Sequence, residues 1–298
     1  MVKKVIVFSA VQNHNVIIKV IDQLKKIKDF DLKLHDPTND YFCLSEMPQF
    51  IKDADKIIVK VRNECSIDLL HFAKLYNIPT LHDVDTILMC KNKMALDYAF
   101  RKIFKKYEAD LSKFALPNSW NQTLSDVGEF KKWAKNKLPI VIKSHYQHDK
   151  YNRFNFLVQN IDEVNKFCKR YENFIFYDVY IQEFIECDGI ERKVYVVGDK
   201  VYGIKRENPI YKYLREKPEN IDVNLIEREE FDITDEIYKL SRILSTELNL
   251  KIFGFDLVQP IEKDIFYLID LNDFPSFKGI PNIENELTNC LKNYALDP

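Results

Sequence analysis

Residues 251–260 read KIFGFDLVQP and residues 265–273 read IFYLIDLND. Each is an apolar, β-rich run of strand length interrupted by oxygen-bearing side chains, Asp256 in the first and Asp270 and Asn272 in the second. The polar turn IEKD joins them. Asp270 and Asn272 are two residues apart, so on a strand both side chains leave the same face. Hard oxygen donors on neighbouring strands suit Mg²⁺, which leaves its remaining positions to water and phosphate. A buried carboxylate pair without a cation is costly. Taken alone, the three residues have a second reading, as strand ends meeting solvent.

Working outward, a basic set accompanies the acidic one. Lys143 ends the apolar strand PIVIK, Lys193 stands in RKVYVVG, and Arg206 ends the paired strand YGIKR. Beside a Mg²⁺ site, lysines on strand faces suit the phosphates of a nucleotide. Any one of them could instead snorkel from a sheet edge; three together with the acidic trio favour the nucleotide. The strand IQEFI at 181–185 runs into the polar loop 186–189, and such a hinge can offer backbone groups to an adenine edge.

The remaining periodicities frame these motifs. Apolar strands at 2–10, 31–36, 56–61 and 78–83 alternate with helical patterns at 15–27 and 66–77, which predicts βαβ units and a parallel sheet. A long basic helix is expected over 87–107, an extended Pro-containing segment over 115–120 and a helix over 127–137. Strand, polar loop, strand, helix and strand follow between 138 and 185. Residues 191–207 read as a hairpin turned by Gly198-Asp199, and 236–249 as a helix. The expected class is α/β followed by α+β.

Composition excludes several functions. The 298 residues carry 44 Lys+Arg against 46 Asp+Glu, a net charge of −2, unlike a general nucleic-acid binder. Apolar residues make up 46%, too many for a disordered chain. No apolar run reaches the ~20 residues of a membrane span, and VIVF at 5–8 is too short for a signal-peptide core. A cytoplasmic protein with no membrane partner is expected. None of the six glycines precedes Gly128, and neither G-x-x-x-x-G-K nor G-x-G-x-x-G occurs, so a nucleotide would have to be held without either loop. The six cysteines include no C-x-x-C pair, which removes zinc and thioredoxin-like readings. HDVD at 82–85 reads as a helix-capping loop, with a metal cluster as the alternative.

The order VIK, IQEFI, KVYVVGDKVYGIKR, FGFDLV and LIDLNDFPSFKGIP resembles the ATP-grasp superfamily across nearly the whole chain. Within it, the resemblance is greatest to the inositol 1,3,4-trisphosphate 5/6-kinase (inositol-tetrakisphosphate 1-kinase) family. Its motifs are matched by Gln182 to Ile185, by Lys193 to Gly198 with Arg206 eight residues on, by Asp256, and by Asp270-Leu271-Asn272-Asp273-Phe274-Pro275-Ser276-Phe277. The resemblance implies an ATP-grasp fold with an N-terminal parallel-sheet pre-grasp domain at 1–88, a central lobe at 89–185 and a C-terminal lobe at 186–298. It implies that Lys93, Lys143 and Arg206 meet nucleotide phosphates, that Gln182 and Phe184 present backbone groups to adenine, and that Asp256, Asp270 and Asn272 hold two Mg²⁺. His148 and Lys193 would stand near the transferred phosphoryl group, and Arg153 replaces a family histidine. Arg is a bidentate phosphate donor, so Arg153 joins Lys193, Ser276, Lys278, Lys60 and Arg62 as candidate contacts to a small anionic substrate, with Lys19 as a further cation.

Two departures bear on that substrate. Residues 12–15, Gln-Asn-His-Asn, stand where the family has paired lysines, and Ser276 replaces a glycine. The leading expectation is an ATP- and Mg²⁺-dependent kinase of an inositol phosphate hydroxyl. The alternative is a carboxylate–amine ligase acting through an acyl phosphate, because Glu191-Arg192-Lys193 lies where such ligases carry D-x-R. A third reading, a catalytically inert nucleotide-binding module, is opposed by the intact Asp256, Asp270 and Asn272 set.

Overall fold

Short apolar strands separated by helices fold here into three sheets. The computed structural model describes residues 3–12, 15–145, 154–172, 178–216, 222 and 225–297. The first lobe contains β1 (Lys4–Ser9), α1 (Asn15–Leu24), β2 (Phe30–His35), α2 (Gln49–Lys52), β3 (Lys56–Val59) and α3 (Glu64–Leu75). Then come α4 (Val84–Lys91), α5 (Lys93–Lys106), β4 (Phe114–Ala115), β5 (Ser119–Thr123), α6 (Val127–Ala134), β6 (Ile140–Lys143), β7 (Asn155–Val158), α7 (Asp162–Arg170) and β8 (Asp178–Glu183). The chain closes with β9 (Ile190–Val197), β10 (Lys200–Glu207), α8 (Pro209–Glu216), β11 (Glu229–Phe231), α9 (Asp235–Glu247), β12 (Ile252–Val258), β13 (Phe266–Asp273) and α10 (Ile283–Leu296).

The first sheet is parallel, in the order β2-β1-β3. Ile6 and Phe8 of β1 pack with α1 and α10, while Val7 packs on the other side with α2, α3 and α4. Six strands, β11-β10-β9-β12-β13-β4, form the second sheet, and β5-β8-β6-β7 the third. Among the described residues no helix is long and apolar enough to cross a membrane.

Two expectations are corrected. Residues 78–83 form no strand: Thr80 makes a single parallel bridge to Ile57, beside Pro79, which has no N–H for a ladder. The long basic helix is two helices. Asn92 takes an extended backbone and its side chain accepts from the N–H groups of Met94 and Ala95, ending α4 and starting α5 in one residue. The core changes at 88/89: Ile87 and Leu88 pack with the first lobe, and Met89 and Cys90 pack with the six-stranded sheet. Leu96, Phe100 and Ile103 of α5 pack with α9, β12 and β13, and β4 pairs with β13, so this stretch lies with the six-stranded sheet. The core of the four-stranded sheet begins at Trp120 and Leu124.

Of the two readings of HDVD, capping is the one observed: Asp83 accepts from Thr86 N at 2.8 Å at the start of α4. The buried His82 ring ties the first lobe to the third. Its Nε2 accepts from the N–H groups of Lys251 at 3.1 Å and Ile252 at 3.2 Å, at the start of β12. That role requires a neutral ring, and burial pulls the imidazole down to about 4, against the opposing pull of Asp273 and Asp83.

Below pH 6.5 the unfolded chain therefore takes up a proton that the folded chain refuses until about pH 4, and stability falls as pH falls. The shift corresponds to about 3 kcal/mol. The difference in unfolding free energy between wild type and His82→Asn, which cancels other titrating groups, should shrink by that amount from pH 7 to pH 4. A difference independent of pH would contradict a neutral buried imidazole.

Candidate active site

On β12, Phe253, Phe255 and Leu257 point into the core beneath the sheet. The strand alternation therefore sends Gly254 and Asp256 to the opposite face. Asp256 stands directly opposite Lys193 of β9 on one side and Asp270 of β13 on the other. Gly254 stands likewise between Tyr195 and Asn272. A Cβ on Gly254 would meet Tyr195 at 3.0 Å and the Pro275 ring at 3.1 Å, so a glycine lets the loop after β13 close onto the sheet. One row further, Glu191 of β9 pairs with Arg206 of β10.

These side chains bond to one another. Lys193 Nζ lies 2.6 Å from Asp256 Oδ2 and 3.4 Å from Glu191 Oε2, and Arg206 Nε donates to Glu191 Oε2 at 2.6 Å. Lys93, the first residue of α5, pairs with Asp270 Oδ1. The N–H of Leu271 donates to the same oxygen at 2.8 Å.

The four-stranded sheet faces this row. Ile140 and Ile142 of β6 and Val179 and Ile181 of β8 fill its own core, so Lys143, Tyr180 and Gln182 point the other way. The pairing of β12 with β13 shifts register after Asp256. Beside that bulge, the carbonyl of Ile269 accepts from Lys143 Nζ at 3.3 Å and from Gln182 Nε2 at 3.5 Å. Lys143 also donates to Gln182 Oε1 at 2.8 Å. Between the two sheets lies a slot walled by Leu96, Phe100, Leu116 and Leu268, with Lys93 and Asp270 also lining it. Tyr180 donates to Asp97 Oδ1 at 3.0 Å, also at the slot's edge. The slot is closed down to about 10 Å³, room for a single water, so a flat ring would enter only as the two sheets part.

Four cations (Lys93, Lys143, Lys193, Arg206) thus meet three carboxylates (Glu191, Asp256, Asp270). Burial pushes Asp256 up to about 6, with Glu191 and Asp270 adding to the push and Lys193 opposing it. Burial also acts to raise Asp270, but Lys93 and Lys143 hold it below the ordinary carboxylate range. Lys193 and Arg206 do the same for Glu191. Lys143 loses by burial and falls to about 8. A divalent cation would relieve the crowding of Asp256 by Glu191 and Asp270. Among the described residues no three His, Cys, Asp or Glu side chains gather in a metal-binding group. The register sets two carboxylates and the Asn272 amide on one face of neighbouring strands, a donor set whose chemistry fits Mg²⁺ because that ion keeps several waters and substrate oxygens.

The other expected contacts divide. Lys60 reaches the loop after β13, but its Nζ donates to the carbonyls of Phe274 at 2.5 Å and Pro275 at 3.3 Å. It is a strut between lobes, with burial lowering it to about 8. Arg62 follows the carboxyl end of β3. Ser276 and Lys278 lie on the loop after β13, where Phe274 and Phe277 take positive φ. Lys19 pairs with Glu284 of α10 at 2.8 Å. The N–H of Phe184 already donates to Pro139 O at 3.2 Å, and Gln182 sits inside the sheet between β5 and β6, so its side chain and not its backbone faces the slot. His14, His148 and Arg153 lie outside the described residues. Sequence reasoning missed Asp97, Tyr180 and the Ile269 carbonyl, and took Glu191 only as part of a ligase motif. The period-two spacing of Tyr180 and Gln182 was the available signal.

Replacing Lys193 by Met should cost about 3–5 kcal/mol, because Asp256 and Glu191 stay buried with one cation fewer. Adding Asp256→Leu should recover most of that loss in denaturant unfolding. Equal stability of the single and double variants would contradict the pairing.

Residues 212–293 match the profile of the inositol 1,3,4-trisphosphate 5/6-kinase ATP-grasp domain. The chain is 26% identical over 136 residues to inositol-tetrakisphosphate 1-kinase 2 of Oryza sativa subsp. indica, covering 39% of this chain and 38% of that protein. It is 25% identical over 154 residues to inositol-tetrakisphosphate 1-kinase 4 of Glycine max, covering 41% and 44%. The chain therefore spans less than half the length of these curated relatives. Among solved structures, the RimK domain ATP-grasp protein of Sphaerobacter thermophilus superposes with a TM-score of 0.71 at 13% identity, over 98% of this chain and 99% of that one. D-alanyl-alanine synthetase A of Vibrio cholerae gives 0.66 at 14%, over the whole of both chains. These establish that the chain has the ATP-grasp fold, and that its C-terminal lobe is similar in sequence to the inositol 1,3,4-trisphosphate 5/6-kinase domain.

Proposed function

We propose that this chain is an ATP-dependent phosphotransferase acting on a hydroxyl of an inositol phosphate. The observation that carries the reading is the row Lys193–Asp256–Asp270–Lys93, which sets cations and hard-oxygen ligands side by side below an apolar slot. The sequence similarity of the C-terminal lobe supports the kinase over other ATP-grasp chemistries. We divide the chain into a parallel-sheet lobe, a lobe built on the four-stranded sheet and a lobe built on the six-stranded sheet, with the nucleotide between the last two.

In this reading the base enters the slot between Leu96, Leu116 and Leu268. Lys143 and Lys93 neutralise nucleotide phosphates, and Lys193 and Arg206 face the phosphoryl group in transit. Asp256, Asp270 and Asn272 would hold Mg²⁺, which supplies charge neutralisation on the phosphate oxygens. Catalysis is then positioning and electrostatic stabilisation of an in-line transfer. The acceptor would lie toward Arg62, Ser276 and Lys278, where the loop after β13 meets the carboxyl end of β3.

A second reading is a carboxylate–amine ligase using the same nucleotide site. It is favoured by Lys60, whose ammonium is held by backbone carbonyls and so is not offered to a polyanionic acceptor. The two reactions leave different products. Incubation with ATP, Mg²⁺ and an inositol phosphate panel should yield ADP and a phosphorylated product without inorganic phosphate. ADP and phosphate released together, and only with carboxylate and amine acceptors, would replace the kinase by the ligase.

Asp270→Asn and Asn272→Ala should each lower kcat on the order of 10²-fold or more with the fold retained, by analogy with losing one preorganised charge-stabilising group. Near-normal kcat of Asp270→Asn at saturating Mg²⁺ would remove the metal assignment.

A further inference from the structure

Each of the two carboxylates that would ligate a divalent ion has an oxygen held by one of the site's own ammonium groups. Asp270 Oδ1 carries Lys93, and Asp256 Oδ2 carries Lys193 at 2.6 Å. Both lysines are deep in the fold, with side chains 6% and 16% exposed. A buried ammonium cannot simply turn to water; it needs another anion to go to. Lys143 differs. Its partners are the neutral Gln182 side chain and the Ile269 carbonyl, so it can meet a phosphate without abandoning a carboxylate.

We propose that Lys93 and Lys193 are exchange ligands: each leaves its carboxylate for a phosphate oxygen as a divalent cation takes that carboxylate, so metal and nucleotide bind as one coupled event. The inference rests on the ATP-site reading and adds how that site is regulated by its own charges. A metal arriving alone lies against two ammonium groups; the nearby alternative for Lys193 is Glu191 at 3.4 Å, already bound by Arg206, and like charges at contact distance in a buried site repel strongly. A nucleotide arriving alone draws the lysines away and strands Asp256 and Asp270 without cations. When both arrive, every charge keeps a partner. The coupling is reciprocal, so each ligand tightens the other by the same factor. Lys93 and Lys193 thus act as positioning residues that hold the metal ligands closed until phosphate is present.

Metal and nucleotide also chelate each other in solution, so the deciding quantity is metal affinity with no nucleotide present. Mn²⁺ binding, followed by the paramagnetic resonance of the free ion, should be at least about tenfold tighter for Lys93→Met than for wild type, within the usual range of coupling energies. Lys93→Gln keeps a hydrogen-bond donor for Asp270 without its charge. It serves where the Met variant does not fold, and the same gain is expected. In either variant Mn²⁺ alone should raise the melting temperature, and in wild type it should not. Lys143→Met should weaken binding of a non-hydrolysable ATP analogue and tighten Mn²⁺ binding less than Lys93→Met does, because Lys143 is not bonded to the carboxylate. Metal affinity unchanged or weaker in the Lys93 variants, with analogue binding to wild type intact, overturns the exchange alone. Failure of wild type to bind the analogue at all in the presence of Mg²⁺ overturns the ATP site, and the exchange with it.

Discussion

Everything in this fold that bears on chemistry depends on one constraint: buried opposite charges on a sheet face must stay paired. Lys193, Asp256 and Asp270 stand in a single row across β9, β12 and β13. Lys93 reaches that row from α5, and Arg206 and Glu191 form the next row. No member can leave unless another charge replaces it. The apolar residues on the reverse face, Phe253, Phe255 and Leu257 among them, fix the register that makes the row possible. A slip of one residue would exchange the two faces and bury the carboxylates against α5 and α9.

The same constraint explains the architecture around the row. The break at Asn92 starts α5 at Lys93, which pairs with Asp270. The bulge in β13 lets the Ile269 carbonyl meet Lys143 and Gln182, drawing the four-stranded sheet onto the six-stranded one. The Lys60 ammonium and the His82 ring hold the first lobe against the third, one on the loop after β13 and the other on the start of β12. Rigid positioning of that kind is what phosphoryl transfer asks of a protein, since little covalent chemistry is left for the side chains.

The sequence made the strands and their polar interruptions legible. Asp256, Asp270 and Asn272 stand out because carboxylates and amides do not belong in apolar strands, and period-two spacing assigns Asp270 and Asn272 to one face. Lys143, Lys193 and Arg206 were visible for the same reason. Partners were not legible. Lys60 reads as a free cation at a strand end, and only the folded chain brings the carbonyls of Phe274 and Pro275 to it. Glu191 reads as one acid among many until the hairpin sets it beside Arg206. The Ile269 carbonyl carries no side-chain signal at all, and the break at Asn92 is hidden in a run whose composition is helical throughout. Periodicity reports faces; it does not report bulges, caps or contacts between distant segments.

The central claim is that the charged row of β9, β12 and β13 is where a metal and a nucleotide meet. The most direct test is a crystal grown with Mn²⁺ and a non-hydrolysable ATP analogue, with anomalous scattering recorded at the manganese edge. The account predicts anomalous peaks about 2 Å from oxygens of Asp256, Asp270 or Asn272, with analogue phosphates on Lys93 and Lys193. Manganese bound elsewhere, or an ordered analogue whose phosphates leave those lysines on their carboxylates, would contradict it.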